Sequence, residues 1–265
     1  MFSLKGFIAF ISYVFLLFVN SSLGSEIING KEVKAHSMPF MALLETKVPE
    51  CGGILIDPKW VLTAAHCTSI QKVLLGVHSI KKEEKDTRQV RKVTKSFPHP
   101  CFDEADRVND LMLLKLDKPV KKTKTVDVLK MGEVVKEPAA GTSCLVAGWG
   151  KTDYKVKKMS DVLMSVNVTV ISRTKCNSPE YYNLNPVITK SMICAGSDGK
   201  NNADTCEGDS GGPLLCNGAL VGVTSFGPLK CGDRKKPGVY AFLTENQLNW
   251  IKKTMKGADM SPLFE

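Results

Sequence analysis

Short apolar runs bounded by turn-forming residues recur along most of the chain. In one of them, Val166, Val168 and Val170 alternate with polar residues, as in a β-strand that buries one face. Elsewhere the pair Asn217 and Gly218 separates two apolar runs, which is a strong signal for a hairpin closed by a type I′ turn. This pattern predicts an all-β sandwich or barrel.

Near the C-terminus the pattern becomes helical. Thr244 and Gln247 have the spacing of a capping box, Leu248 and Ile251 follow at helical spacing, and Gly257 is a stop signal. We therefore predict a single helix at the end of the chain.

The N-terminal segment is apolar over residues 7–18, which is too short to span a bilayer comfortably, and small polar residues follow it. It predicts a secretory signal peptide, residues 1–24, with cleavage after Gly24. A signal anchor is the alternative. No other stretch is long and apolar enough for a membrane helix, so we expect a soluble mature protein without membrane contact.

The composition narrows the class of protein. The 265 residues are 43% hydrophobic and 24% charged, which is ordinary for a globular chain and excludes collagen, coiled-coil and multispan membrane classes. Nine cysteines indicate a disulfide framework formed in an oxidising compartment. Because nine is odd, at least one cysteine is free or bonded between chains.

A Lys- and Pro-rich segment with few aromatic residues covers residues 117–141. Such a segment indicates a surface connection, and we place the boundary between two halves of the molecule there.

Three local segments each supply a group used in acyl transfer. His66 stands beside a cysteine, Asp110 precedes an apolar run and Ser210 lies in a glycine-rich loop. A serine hydroxyl needs an imidazole to accept its proton, and the imidazole needs a buried carboxylate to fix its tautomer. Gly208 lets the backbone turn so that its N–H and that of Ser210 form an oxyanion hole. Each residue alone also fits a cap, a core histidine or a turn, but together they predict nucleophilic catalysis.

These segments resemble the trypsin/chymotrypsin family of serine proteases, as do further motifs that fall in the family's order. The further motifs are residues 27–30, 51–53, 146–150, 225–227 and 237–240. The resemblance implies two six-stranded antiparallel β-barrels with a C-terminal helix, in a protease domain over residues 27–258 followed by a tail, residues 259–265. It assigns His66 as general base, Asp110 as its orienting partner and Ser210 as nucleophile.

The family is made as zymogens, in which a freed α-amine pairs with the carboxylate beside the nucleophile. The resemblance assigns this pair to Ile27 and Asp209. The preceding residues 25–26 are Ser and Glu, so a trypsin-like activator would not cut there. An activation dipeptide that ends in an acid resembles the granzymes, leukocyte granule proteases whose dipeptide is removed by a dipeptidyl peptidase. Asn29 stands where the family usually has glycine, and Asn tolerates the left-handed conformation better than most residues.

The substrate pocket is also assigned by resemblance. Asp204 forms the floor, and Thr205, Ser225, Gly227 and Gly238 lie around it. A carboxylate at the floor selects Arg or Lys before the cleaved bond, because a long cationic side chain satisfies the buried charge.

Eight of the nine cysteines have partners in the family. The implied pairs are Cys51–Cys67, Cys144–Cys216, Cys176–Cys194 and Cys206–Cys231. Cys101 is left over in a Pro-flanked loop, residues 97–102. One granzyme that is a disulfide-linked homodimer carries its extra cysteine in a matching context, so we predict an interchain bond at Cys101. The alternative is a buried or capped thiol.

The surface offers further candidate sites. Asn167 begins an N-glycosylation sequon on the polar side of a strand. The formal net charge is +9, with lysines clustered at 81–82, 121–122, 157–158 and 234–236. These clusters are either ordinary solvated surface or a means of binding acidic glycans such as heparin-like proteoglycans. The sequence contains no nucleic-acid-binding motif and no metal-ligand motif, and we expect no cofactor.

The leading hypothesis is a secreted, granule-stored serine endopeptidase of the granzyme subgroup that cleaves proteins after Arg or Lys and is subject to serpin-type inhibitors. One alternative is a catalytically silent, heparin-binding homologue, although such proteins usually lose a triad residue. The other is a non-granule trypsin-like protease.

Overall fold

The computed structural model describes residues 28, 30–197, 199 and 202–259. The predicted signal peptide (1–24), the activation dipeptide (25–26), Ile27, Asn29 and residues 260–265 lie outside the described residues.

The first half of the molecule contains six antiparallel strands: β2 (Met41–Glu45), β3 (Pro49–Asp57), β4 (Trp60–Thr63), β5 (Lys72–Leu75), β6 (Gln89–Pro98) and β7 (Met112–Leu116). They form a closed barrel in the order β2-β3-β4-β7-β6-β5. Pairing of β5 with β2 closes it.

The second half contains six further strands: β8 (Ser143–Gly148), β9 (Met164–Ile171), β10 (Met192–Gly196), β11 (Pro213–Cys216), β12 (Ala219–Phe226) and β13 (Gly238–Phe242). They also form a closed antiparallel barrel, in the order β9-β10-β13-β12-β11-β8, with β8 pairing back to β9. A short strand, β1 (Lys31–Glu32), pairs with β9. The predicted fold of two six-stranded barrels is therefore confirmed.

The alternation in β9 and the hairpin between β11 and β12 follow the sequence pattern. Val166, Val168 and Val170 are buried, whereas Asn167 is exposed. Asn217 and the following glycine have φ of 52° and 76°, the left-handed backbone that a type I′ turn requires. Residues 117–142 connect β7 to β8 without a strand or helix.

The C-terminal helix, α2 (Glu245–Asp259), packs on the first barrel although it follows the second in the chain. Leu248 and Ile251 are buried in the first barrel's apolar cluster. The Thr244 hydroxyl, just before the helix, donates a hydrogen bond to the side-chain oxygen of Gln247. The predicted stop at Gly257 was wrong, since the helix runs to Asp259.

A second helix was not predicted. The single-turn α1 (Arg173–Cys176) begins at Ser172, whose Oγ accepts a hydrogen bond from the backbone N–H of Lys175. One turn is too short to produce an apolar periodicity in the sequence. Among the residues that the structure describes, no helix combines the length and apolar character needed to cross a membrane.

Candidate active site

The strand pairing of the first barrel brings His66 and Asp110 together. His66 lies three residues beyond the end of β4, and Asp110 lies two residues before β7. These strands pair antiparallel with Thr63 opposite Met112, so the end of one adjoins the start of the other. Two residues 44 positions apart thereby meet at one rim of the barrel.

Asp110 is fully buried and its carboxylate is held by three hydrogen bonds. His66 approaches it with its ring, at 2.7 Å between Nδ1 and Oδ2, and with its backbone N–H, at 3.0 Å from Oδ1. The hydroxyl of Ser225 donates to Oδ2 at 2.5 Å. A carboxylate on Nδ1 places the free ring position at Nε2, which is where a base must act.

The role of the Ser225 hydroxyl differs from the sequence-based assignment. The family resemblance assigned Ser225 to the substrate pocket; in the structure Ser225 lines the pocket beside Ser210, and its side chain also hydrogen-bonds to Asp110. The contact joins residues 115 positions apart, one from each barrel, so no local sequence pattern predicts it.

Ser210 lies in the loop between β10 and β11, which is attached to the first barrel through the backbone. The N–H of Gly52 donates to the carbonyl oxygen of Ser210 at 2.8 Å. Gly208, two residues earlier, has φ of 97°, and a Cβ there would lie 3.0 Å from the Met159 Cε. Glycine is required at this position for both its backbone conformation and its close packing. His66, Gly208 and Ser210 all line one cleft of about 580 Å³.

Asp209, beside Ser210, is completely buried. Its carboxylate accepts backbone hydrogen bonds from Gly150 at 2.8 Å and from Cys206 at 2.9 Å. Burial raises the pKa of the Asp209 carboxyl to about 7, and the two N–H groups partly oppose that rise. A nearby cation would stabilise the charged form, but its predicted partner Ile27 lies outside the described residues.

The pocket beside Ser210 has a volume of about 370 Å³, and Thr205, Ser225 and Gly227 are among its lining residues. Asp204 is buried next to Thr205, and its Oδ2 accepts a hydrogen bond from the Gly232 N–H at 2.8 Å.

The other carboxylate oxygen of Asp204 is unpartnered. Oδ1 is buried and has no hydrogen-bond partner within the described part of the chain. Burial raises the pKa of the Asp204 carboxyl to about 7. Gly238 borders this oxygen, and a Cβ there would lie 3.0 Å from Oδ1. Asp204 and Gly238 are not among the lining residues of the 370 Å³ pocket; they lie behind it, where Asp204 adjoins the lining residue Thr205.

Four disulfides are present, and they are the four pairs implied by the family resemblance. They are Cys51–Cys67, Cys144–Cys216, Cys176–Cys194 and Cys206–Cys231. Cys101 is a free and exposed thiol. No cluster of three metal-binding side chains occurs in residues 30–197 or 202–259.

Comparison with known proteins identifies the class to which this fold and site belong. The trypsin family profile matches residues 27–251. Granzyme A of Bos taurus is 47% identical over 234 residues, covering 88% of this chain and 89% of that protein. Kallikrein-8 of Rattus norvegicus is 39% identical over 89% of each chain. A solved structure of neuropsin, described as a serine protease expressed in the limbic system of mouse brain, superposes with a TM-score of 0.76 at 38% identity, covering 85% of this chain and 98% of that one.

The chain belongs to the trypsin family of serine proteases. It is a serine endopeptidase, and its substrates are proteins.

Proposed function

We propose that Ser210 is the nucleophile, His66 its general base and Asp110 the group that fixes the histidine tautomer. The hydroxyl proton of Ser210 passes to His66 Nε2 as Oγ attacks the peptide carbonyl carbon. The resulting oxyanion accepts hydrogen bonds from the backbone N–H groups of Gly208 and Ser210. Return of the proton to the leaving amine frees the C-terminal product, and water then hydrolyses the acyl-enzyme by the same steps.

We propose that this site cleaves after Arg or Lys. The observation that supports this is the buried, unpartnered Oδ1 of Asp204, which is next in the chain to Thr205 in the pocket lining. A buried carboxylate is costly without a cation, so a guanidinium or ammonium group gains a charge-assisted hydrogen bond there. Gly227 and Gly238 carry no side chains that would block its path.

The test is to express the chain from Ile27 and to compare amide substrates that end in Arg, Lys, Phe or Asp. We expect cleavage after Arg and Lys, and none by the Ser210→Ala variant. Preferential cleavage after Phe or Asp would overturn the pocket assignment.

We propose that residues 1–24 direct secretion and that removal of residues 25–26 activates the protease. The protease domain then covers residues 27–258, with the boundary between the barrels near 117–141, and a tail follows at 259–265. The new α-amine of Ile27 would pair with Asp209, whose burial favours a cationic partner. To test this, a chain beginning at Ser25 is treated with a dipeptidyl peptidase. Activity should appear in step with loss of the dipeptide, and full activity before treatment would refute the proposal.

We propose storage in cytotoxic-cell granules, supported by the 47% identity to granzyme A. Kallikreins are also similar, so a non-granule trypsin-like protease is the competing function. Localisation of the tagged chain in cytotoxic lymphocytes separates these functions, because a granule enzyme co-sediments with dense granules. Serpin-type inhibitors would trap the acyl-enzyme of either protein.

We propose a homodimer linked through Cys101, whose thiol is exposed in a loop. The Asn109 side-chain amide donates to the Cys101 carbonyl oxygen at 2.9 Å, which ties this loop to the residue before Asp110. Non-reducing gels should show twice the monomer mass, and the Cys101→Ser variant should run as a monomer. Monomer mass for both proteins would exclude the crosslink.

We propose that Asn167, which is exposed, carries an N-glycan and that the basic loops bind acidic glycans. Glycosidase treatment should reduce the mass of the wild type but not of the Asn167→Gln variant. Binding to heparin should require high salt for elution. Elution well below a basic control protein would count against glycan binding.

A further inference from the structure

Two clefts meet at Ser210. One is the specificity pocket of about 370 Å³, and the other, of about 580 Å³, is bordered by Cys51, His66 and Gly208. When the side chain before the cleaved bond occupies the specificity pocket, its carbonyl carbon lies at the Ser210 hydroxyl. The residues after the bond then extend along the larger cleft, since the chain continues away from the pocket.

The larger cleft has cationic side chains drawn from separate segments of the chain. Lys81 belongs to the loop after β5, and Lys157 and Lys158 belong to the loop between β8 and β9. All three are exposed, and within the described residues none of them forms an ion pair. We call these three residues the lysine rim.

Asp161 joins the two loops through hydrogen bonds, which we call the Asp161 clasp. Its Oδ1 accepts hydrogen bonds from the Ser79 hydroxyl at 3.1 Å and from the Lys81 backbone N–H at 2.9 Å. Its carbonyl oxygen accepts a third, from the Ile80 N–H at 2.7 Å. The bridge between Ser79 and Val162 continues this contact. The clasp joins a first-barrel loop to a second-barrel loop, and so holds the lysine rim on one side of the cleft.

Two of the three carboxylates that line the cleft are engaged within the protein, one in an ion pair and one in hydrogen bonds. Lys151 pairs with Glu207, so these two charges cancel. Asp161 is engaged in the clasp. Glu50 is the remaining acidic residue of the lining, which also contains the three lysines of the rim. Between the charges, Ile80 and Met159 supply apolar surface.

We propose that the lysine rim selects substrates with acidic side chains at the first two positions after the cleaved bond. The inference rests on the proposed function, because the chain direction follows from Arg or Lys in the specificity pocket. An Asp or Glu in the cleft pairs with ammonium groups that have no internal partner, whereas Lys there is repelled. The preferred substrate is then a basic residue followed by acidic ones.

The test uses internally quenched peptides with Arg before the bond and either Glu-Glu, Gln-Gln or Lys-Lys after it. We expect kcat/KM to be about tenfold higher for Glu-Glu than for Gln-Gln, since each exposed charge pair contributes a factor of roughly two to five. Lys-Lys should be cleaved more slowly than Gln-Gln. The discrimination should shrink at about 0.5 M salt, which screens exposed charges.

The key variant is the triple change Lys81→Gln, Lys157→Gln and Lys158→Gln, at enzyme concentrations set by titration of the reactive serine. It should lose most of the Glu-over-Gln preference. A matched control, which removes the same number of charges, is Lys252→Gln with Lys253→Gln and Lys256→Gln on the exposed side of α2, outside the cleft. The control should keep the preference and the activity on an Arg anilide that has no residue after the bond.

The outcomes separate this inference from the proposed function. If no Arg peptide is cut, the proposed specificity fails. If all three peptides are cut equally well, the specificity stands and the lysine rim has no role. If the control variant loses as much discrimination as the rim variant does, the general positive field is responsible and the inference is overturned.

Discussion

The charge of Asp204 can be isolated by the near-isosteric substitution Asp204→Asn. In the same experiment the substrate is changed from Arg to citrulline, which has nearly the same shape but no charge. Four combinations of enzyme and substrate form a double-mutant cycle, and the cycle isolates the coupling between the two charges from steric effects.

The structure sets the size of the expected coupling. Asp204 is buried and its Oδ1 is unpartnered among the described residues. In the proposed complex a guanidinium group lies at hydrogen-bonding distance from this oxygen. At an effective dielectric constant of about 20, two unit charges about 4 Å apart interact by about 4 kcal/mol. Measured couplings for close charge pairs range over roughly 1.5–7 kcal/mol. We expect about 3–4 kcal/mol, or roughly 150- to 1000-fold in kcat/KM.

The assay is kcat/KM for paired Arg and citrulline peptides with both enzymes at pH 8. Asp233→Asn is the matched control, because Asp233 lies one residue beyond Gly232 but its Oδ1 already accepts a hydrogen bond from the Lys235 N–H. It changes the net charge equally and should couple weakly to the substrate. A coupling below about 1 kcal/mol for Asp204→Asn would refute the proposed recognition.

Asp204→Asn should lower kcat/KM for Arg substrates but raise the stability of the empty enzyme. Burial raises the pKa of the Asp204 carboxyl to about 7, well above its usual range, so the native state binds this proton more tightly than the unfolded state does. That stabilisation is present at low pH and is lost as pH rises through about 4 to 7. At pH 8 the ion therefore destabilises the empty pocket, by about 4 kcal/mol at most. Asp204→Asn should raise the melting temperature at pH 8 and do so less at pH 5.

Three further changes probe the site. Ser225→Ala removes the 2.5 Å hydrogen bond to Asp110. Because this bond goes to a charged group, its loss should lower kcat about tenfold with little change in KM. An unchanged kcat would show that the hydroxyl is dispensable. Gly150→Ala would place a Cβ 2.5 Å from the Asp209 Oδ2. Thermal unfolding should then show that the free energy of unfolding is lower by about 1–3 kcal/mol. Wild-type stability would mean that the loop moves to accept the extra carbon. Because benzamidine requires an ionised Asp204, its affinity should fall tenfold per pH unit below about 7, and a flat profile down to pH 5 would contradict the raised pKa.

The β-architecture could be predicted because its signals are local. Alternation in β9 and the Asn217–Gly218 turn depend on neighbouring residues, and the structure has both features. The fold itself, two closed barrels, came from the family resemblance, since alternation alone does not distinguish a sandwich from a barrel. The helix end was missed because Gly257 lowers helix stability by only about 1 kcal/mol, which tertiary contacts can offset.

The contacts that complete the site join residues far apart in sequence. Ser225 reaches Asp110 across 115 positions, and Ser79 reaches Asp161 across 82. Both contacts cross between the barrels, so they depend on how two separately closed sheets are placed against each other. A motif shows which groups the chemistry needs, but not which other side chains will hold them.

The lysine clusters show that the packing of the two barrels, which local sequence does not predict, also bears on function. In the sequence, Lys81 and Lys157 belong to two of several equivalent basic loops, and each is compatible with an ordinary solvated surface. In the structure the Asp161 clasp brings these two loops to the cleft beside Ser210, whereas Lys121 and Lys235 lie outside its lining. The total charge of the protein is the same in either description. Only the placement distinguishes a selector of acidic substrates from a general adhesive surface, and placement is set by the packing of the barrels.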